Sequence, residues 1–107
     1  MKRIDAIIPE KNLDAVNKSL HGIGVTGVTV FTASGRGKHP PDANQMGYWL
    51  YYPRFGDNKV IMVLTSDADA EKTVQCISDS AEAGKVMITN VENLVDIRKK
   101  SKGEEAL

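Results

Sequence analysis

Apolar residues in the first third of the chain follow two different periods. Residues 3–8 form a short β-type run that ends at Pro9, because proline cannot donate a hydrogen bond to a ladder. The next apolar residues step by three and four, which predicts one face of an amphipathic helix with Asn12 as its N-cap. That face consists of Leu13, Val16, Leu20 and Ile23. Residues 25–32 are rich in valine and threonine and predict a second strand.

The second half of the chain repeats this plan. Residues 59–65 form a near-continuous apolar run, which is typical of a strand in the centre of a sheet. Ser66 or Asp67 is the expected cap of a second helix that ends before Gly84, and residues 85–89 predict a fourth strand. The apolar face of this helix consists of Ala70, Val74, Ile77 and Ala81.

The segment between the two halves breaks the pattern. Residues 35–57 contain seven glycines and prolines, which forbid a long regular element: Gly35, Gly37, Pro40, Pro41, Gly47, Pro53 and Gly56. A loop of about twenty residues is unusual in a small domain and is typically functional, so we expect it to be mobile without a ligand. It carries an aromatic cluster, Tyr48, Trp49, Tyr51 and Tyr52, which indicates either a partner surface or a packed hairpin strand.

Two successive strand–helix–strand units predict one α+β domain over residues 1–107, with ferredoxin-like βαββαβ order. The sheet is four-stranded and antiparallel with two helices on one face, followed by a helical turn at 91–95 and a charged tail at 99–107. The uncovered face is expected to be apolar and to need a partner, which predicts an oligomer. This expectation rests on Ile4, Ala6, Ile61 and Val63.

The charges of the 107 residues balance, since 14 basic and 14 acidic side chains leave a formal net charge of zero. This removes the basic excess with which a general nucleic-acid binder displaces counterions. No apolar run approaches the ~20 residues of a membrane span, and residues 1–5 lack the features of a secretory signal. The single cysteine, Cys76, excludes an internal disulfide framework. We expect a cytoplasmic protein that binds no nucleic acid and meets a membrane only through a membrane-protein target.

Side chains that commonly perform catalysis are few and scattered. His21 ends the first predicted helix and His39 lies in the loop, and neither belongs to a ligand or nucleophile motif. Cys76 lies beside the apolar face of the second predicted helix, where a structural thiol is expected. We therefore expect a protein that is not an enzyme and has no cofactor or metal site.

Two basic features could bind an anion. The turn at residues 35–38 combines two glycines, which let a ligand approach the backbone, with the charges of Arg36 and Lys38. A second cluster near the C-terminus either reaches a phosphate or is a solvated tail. It consists of Arg98, Lys99, Lys100 and Lys102.

The order and spacing of several segments resemble the PII nitrogen-regulatory signal proteins. The similarity begins with MKRIDAII at residues 1–8 and continues through GVTGVTV at 24–30 and the Gly-x-Gly at 35–37. It runs on through residues 59–64 and the helix end AEAGK at 81–85, and it ends with VDIR and the terminal GEEAL. It covers nearly the whole chain apart from the loop.

This resemblance implies a homotrimer with ATP or ADP in the clefts between subunits and a long T-loop, here residues 36–57, that engages a target protein. On one side of each cleft it implies Ile7, Thr29, Gly35, Gly37, Lys38 and Leu64, next to Arg36 of the anion-binding turn. From the neighbouring subunit it implies Gly84, Lys85 and Arg98.

The chain departs from the family pattern where phosphates are bound. The glycine-rich phosphate loop that usually follows Gly84-Lys85 is missing, and Asp96 stands where a family arginine contacts phosphate. His39 replaces a glutamine that helps to hold Mg-ATP, and Met62 replaces an acidic residue. We therefore expect ADP or AMP to be favoured over ATP, or a small anion such as bicarbonate to bind, and Asp96→Arg to favour ATP. Tyr51 aligns with a tyrosine that some members have modified, which we interpret as coincidence.

The sequence thus predicts a PII-like regulatory protein that controls a transporter or a metabolic enzyme through its T-loop. The alternative is a metal-tolerance or structural trimer of the same fold without a nucleotide site. Its metal ligands would come from His39, Asp42 and the loop tyrosines.

Overall fold

The computed structural model describes residues 1–37 and 55–107, and its strands and helices follow the predicted order. They are β1 (Lys2–Pro9), α1 (Leu13–Gly22), β2 (Thr29–Gly35), β3 (Gly56–Thr65), α2 (Asp67–Ser80) and β4 (Lys85–Asn90). Short 3-10 turns lie at Glu10–Asn12 and Gly103–Ala106. The predictions made for seven loop residues, and the expected mobility of the loop between them, fall outside the described residues; these are Lys38, His39, Asp42, Tyr48, Trp49, Tyr51 and Tyr52.

All strand pairs in the sheet are antiparallel, and the strand order is β2-β3-β1-β4. Helix α1 connects β1 to the edge strand β2, and α2 connects β3 to the opposite edge strand β4. Each helix therefore spans a crossover over the same central pair of strands. This arrangement confirms the predicted ferredoxin-like fold.

The hydrophobic core lies between the two helices and one face of the sheet. Alternate residues of β1 and β3 point into it, because side chains on a strand alternate between the faces. It comprises Ile4, Ala6, Ile8, Ile61 and Val63 from the sheet with Val16, Leu20, Ala70 and Ile77 from the helices. The sheet residues on which an apolar open face was expected therefore face the helices, and that part of the prediction is wrong.

The open face, opposite the helices, carries the intervening residues of the strands. It includes Ile7, Phe31, Val60, Met62, Leu64 and Met87, with Arg3 and Asp5 among them. Arg3 donates hydrogen bonds to both carboxylate oxygens of Asp5, from Nε at 2.9 Å and from Nη2 at 3.1 Å. The buried carboxylate of Asp5 is therefore paired, and its cross-strand neighbours Met62 and Met87 are apolar.

The start of α1 differs from the prediction in the role of Asn12. Its side chain makes no cap hydrogen bond within the helix. Instead, its Oδ1 accepts a hydrogen bond of 3.1 Å from the backbone N–H of Glu82, just after α2. Asn12 is buried, so it ties the start of one helix to the end of the other. By contrast, Ser66 caps α2 as predicted, since its Oγ accepts from the N–H of Asp69 at 3.3 Å.

Three boundaries also differ from the prediction. Strand β2 begins at Thr29, because Val25 and Val28 pack against the core from an irregular segment rather than a strand. Strand β3 begins three residues early, so the last two residues of the predicted loop pair with β2. Residues 91–95 are not helical: Val95 forms an isolated bridge with Lys102.

Candidate functional site

A cleft of about 640 Å³ lies beside the open end of β3. Thr29 and Leu64, two of the residues predicted to bind a nucleotide, both line it. The other lining residues are residues 23–28, Met62 and Thr65, then Ser66, Asp69, Lys72 and Thr73 from the start of α2, and finally Leu94, Glu104, Ala106 and Leu107. Its volume is typical of a site for a small organic ligand.

The late start of β2 opens the cleft. The β2–β3 ladder ends at the pair of Thr29 with Met62, so Val63, Leu64 and Thr65 have no partner in β2. One edge of the β3 backbone is therefore left unpaired beside the cleft. Unpaired backbone donors and acceptors next to apolar walls suit recognition of a flat, polar-edged ligand.

A second group of predicted residues lies further along the sheet. Ile7 is the cross-strand partner of Lys85, and Gly35 pairs with Gly56 at the far end of the β2–β3 ladder. Gly35 lies six residue steps beyond Thr29, which corresponds to about 20 Å along β2. The predicted residues Ile7, Thr29, Gly35 and Leu64 thus lie along a strip of the open face, called the binding strip below, which runs from the cleft to the Gly35 end of the sheet.

Gly84 lies against the backbone of β1. A Cβ at this position would be 1.9 Å from the carbonyl oxygen of Ile7, and the φ angle of Gly84 is +129°. Both the space and the backbone conformation require glycine here. Gly84 therefore fixes the entry of the chain into β4 and the position of Lys85 beside Ile7.

Arg36 lies where the chain leaves β2. Its guanidinium is 6.0 Å from the centre of the Phe55 ring, within the range of a cation–π contact. This contact joins the first residue after β2 to the last residue before β3. The cation predicted to bind an anion is thus held at the Gly35 end of the strip, and Gly37 beyond it is exposed.

The family model described as nitrogen regulatory protein P-II matches residues 1–101. The chain belongs to the P-II family. It is 33% identical over 112 residues to a nitrogen regulatory protein P-II of Azospirillum brasilense, and 30% identical to one of Rhizobium meliloti, with full coverage of both chains in each case. It is also 29% identical to nitrogen regulatory protein P-II 1 of Methanothermobacter thermautotrophicus, over 100% of this chain and 97% of that protein. P-II proteins are regulatory signal transducers, and membership of this family gives the chain a regulatory role in signalling.

The P-II resemblance assigned phosphate repulsion to Asp96, and the structure gives this residue a second role. Its Oδ1 accepts hydrogen bonds from the backbone N–H groups of Arg98 at 2.9 Å and Lys99 at 3.0 Å. The N–H of Lys100 bonds to the Asp96 carbonyl oxygen at 2.7 Å, and Lys100 has a φ of +61°. Asp96 therefore organises an ordered turn, and the segment that contains Arg98 is not a free tail.

This role changes the variant with which the charge of Asp96 is best tested. We expect Asp96→Ala to lower the free energy of unfolding by about 1 kcal/mol, because the two N–H groups lose their acceptor. Asp96→Asn keeps an acceptor oxygen and should change stability by less than about 0.5 kcal/mol. Urea denaturation measures both values, and equal losses in the two variants would contradict the role of the Asp96 oxygen as acceptor for these two N–H groups. Asp96→Arg removes the acceptor of the two hydrogen bonds together with the negative charge, whereas Asp96→Asn removes the charge alone. Asp96→Asn is therefore the better test of phosphate repulsion.

The thiol of Cys76 lies in surroundings that disfavour its reactive form. Cys76 is half-buried, and desolvation, with a smaller contribution from Asp79, raises the pKa of its thiol, which disfavours the reactive thiolate. Within residues 1–37 and 55–107, no group of three His, Cys, Asp or Glu side chains is placed to hold a metal ion. No helix in these ranges is both long and apolar enough to cross a membrane.

Some residues of the cleft carry no sequence signal of their own. Thr65, Thr73 and Lys72 belong to no motif, and Leu94 and Leu107 lie in segments predicted as a helical turn and a charged tail. Thr65 follows directly after Leu64 on β3, so extending the resemblance by one residue would have reached it. Leu107 lies in the terminal GEEAL to which the resemblance extends, but that resemblance names no role for it, and its place beside the cleft becomes visible only in the fold.

Proposed function

We propose that this P-II protein is a homotrimeric sensor of an adenine nucleotide, with ADP or AMP preferred over ATP. In this proposal its T-loop, residues 36–55 between β2 and β3, transmits the bound state to a transporter or a metabolic enzyme in the cytoplasm. The observation that carries the nucleotide assignment is the binding strip, which runs from an apolar cleft at Thr29 and Leu64 to Arg36 at the Gly35 end, where Lys85 of a neighbouring subunit would add a second cation. A nucleotide has the same polarity, with a flat base at one end and phosphates at the other.

The distribution of charge along the strip supports a preference for few phosphates. The cations placed at the strip are Arg36, which is already engaged with Phe55, and, in this proposal, Lys85 contributed by a neighbouring subunit. A charge-assisted hydrogen bond to phosphate contributes about 1.5–3 kcal/mol before solvent competition, so two cations reward one or two phosphates. The phosphate loop that would hold a third phosphate is missing from the chain, and Asp96 would oppose that phosphate where Arg98 of a neighbouring subunit approaches. Bicarbonate remains the alternative ligand for the cationic end.

Titration calorimetry with AMP, ADP and ATP, each with and without Mg²⁺, tests the proposal. We expect micromolar or weaker affinities, with ADP or AMP at least as tight as ATP. Lys85→Gln should weaken the affinity for ADP by about tenfold and leave the affinity for adenosine unchanged, because the substitution removes one phosphate contact. Lys18→Gln, an exposed lysine of α1, is the matched control. Tight Mg-ATP binding to the wild type, or no binding of any adenine nucleotide, would contradict the proposed site.

The trimer is tested separately, by light scattering at micromolar concentration. The open face offers apolar residues on each strand, and burial of such a surface between copies stabilises a closed oligomer. We expect a particle three times the 11.7 kDa mass of the chain. A monomer at this concentration would rule out the proposed assembly and the subunit clefts with it.

A further inference from the structure

Two buried threonines line the cleft, and their hydroxyl groups differ in one respect. Thr73 on α2 is fully buried, and its Oγ1 donates a hydrogen bond of 2.9 Å to the carbonyl oxygen of Asp69. Thr65 at the end of β3 is 6% exposed, and its Oγ1 has no hydrogen-bond partner among the described residues. The cleft thus contains one buried hydroxyl that is satisfied and one that is not.

An unsatisfied buried hydroxyl destabilises a folded protein, and native structures rarely keep one without a reason. A valine would fill the same space without this cost. Thr65 lies next to Leu64, at the place where the β3 edge has no partner in β2. Because side chains alternate along β3, the hydroxyl of Thr65 lies on the α2 side of this edge and Leu64 on the other, so a ligand meets both the hydroxyl and the unpaired backbone by entering the cleft along the β3 edge.

The charges that line the cleft indicate which part of a ligand binds next to Thr65. Asp69 and Glu104 line the cleft, and Lys72 is the cation among its lining residues. The ammonium group of Lys72 lies 3.6 Å from a carboxylate oxygen of Asp69, so its charge is already balanced. With one more carboxylate than ammonium, the lining disfavours a phosphate and suits a neutral, flat group with polar edges.

We propose that Thr65 is a specificity-determining residue whose hydroxyl hydrogen-bonds to the polar edge of the nucleobase in the cleft. This inference rests on the proposed nucleotide site and names the group that recognises the base end of the ligand. In the empty protein the hydroxyl of Thr65 has no hydrogen-bond partner within the described part of the chain, and the free-energy cost of burying it unpaired is recovered when the base binds.

The experiment compares Thr65→Val, Thr65→Ser and Thr73→Val by calorimetry with ADP and by urea denaturation without ligand. Thr65→Val should weaken ADP binding by about tenfold, the value of one hydrogen bond, while it raises the urea midpoint of the empty protein. Thr65→Ser keeps the hydroxyl and should stay within about threefold of the wild-type affinity. Thr73→Val, the matched control, should lower the urea midpoint and leave ADP affinity nearly unchanged, because its hydroxyl serves the helix.

The opposite signs of the two effects distinguish recognition from a purely structural role. Inorganic diphosphate, which lacks a base, should bind wild type and Thr65→Val equally. If ADP binds the wild type and Thr65→Val with the same affinity, the inference is overturned while the nucleotide site stands. If ADP binds neither protein, the proposed function is wrong and the inference fails with it. A lower urea midpoint for Thr65→Val would also overturn it, since the hydroxyl would then be satisfied in the empty protein.

Discussion

Replacement of Gly84 by alanine is expected to lower the free energy of unfolding by about 4 kcal/mol. The added Cβ would lie 1.9 Å from the carbonyl oxygen of Ile7, so β1 and β4 would have to separate or the connection from α2 would have to shift. Overpacking of this kind costs about 1–3 kcal/mol, and a left-handed conformation costs a residue with a side chain about 1–2 kcal/mol more. Urea denaturation monitored by circular dichroism measures the loss.

Two other glycines of the chain separate these contributions. Gly24 also has a positive φ, of +93°, but no atom lies within 4 Å of the place that a Cβ would take, so Gly24→Ala should show only the backbone cost of about 1–2 kcal/mol. Gly22 has open space and lies at the end of α1, so Gly22→Ala should be neutral or slightly stabilising. If Gly84→Ala loses no more than Gly24→Ala, the approach to Ile7 is not a tight contact.

This result bears on how a glycine in a family motif is interpreted. Gly84 was open to two explanations from the sequence, the end of a helix or one side of a nucleotide cleft. Helix α2 ends at Ser80, four residues earlier, so Gly84 does not cap it. The close approach to Ile7 is enough to explain why residue 84 is glycine. Contact of this residue with a nucleotide is a separate hypothesis, which only ligand-binding measurements can test.

The periodicity of the apolar residues was enough to predict the order of the strands and helices. It failed where an apolar residue packs into the core from outside a regular element, as Val25 and Val28 do. These residues have the composition of a strand, but β2 pairs with β3 only from Thr29 onward. A one-dimensional pattern records that a side chain is apolar and does not record whether its backbone has a neighbour to pair with.

The candidate site shows a similar division. Thr29 and Leu64 were found through resemblance, because they lie in segments with family spacing. The role of Asp96 in its turn depends on backbone angles, including the left-handed φ of Lys100, and the residue types in this segment do not predict these angles. The unsatisfied hydroxyl of Thr65 is a property of packing in three dimensions. Such features become visible only when the neighbours of each polar atom are known.

Asn12 gives the second large expected effect, a loss of about 2 kcal/mol in the free energy of unfolding for Asn12→Ala. The variant leaves the N–H of Glu82 without the acceptor that now lies 3.1 Å away, and a lost partner of this kind costs about 1–3 kcal/mol. Because Glu82 lies two residues before Gly84, the bond also holds the segment that leads into β4. Urea denaturation gives the total loss, and hydrogen exchange of the Glu82 amide should accelerate in the variant.

An exposed asparagine of the same helix provides the control for Asn12. Asn17 lies on the solvent side of α1, so Asn17→Ala should change stability by less than about 0.5 kcal/mol, with a slight gain because alanine favours helix. If Asn12→Ala matches this control, the buried link between the helices contributes little and the end of α2 is held by other contacts. If the amide of Glu82 exchanges faster in Asn12→Ala while the protein's affinity for ADP is unchanged, the hydrogen bond between Asn12 and Glu82 supports the fold and not the binding strip. A joint loss of stability and ADP affinity would show that the strip depends on the position at which α2 ends.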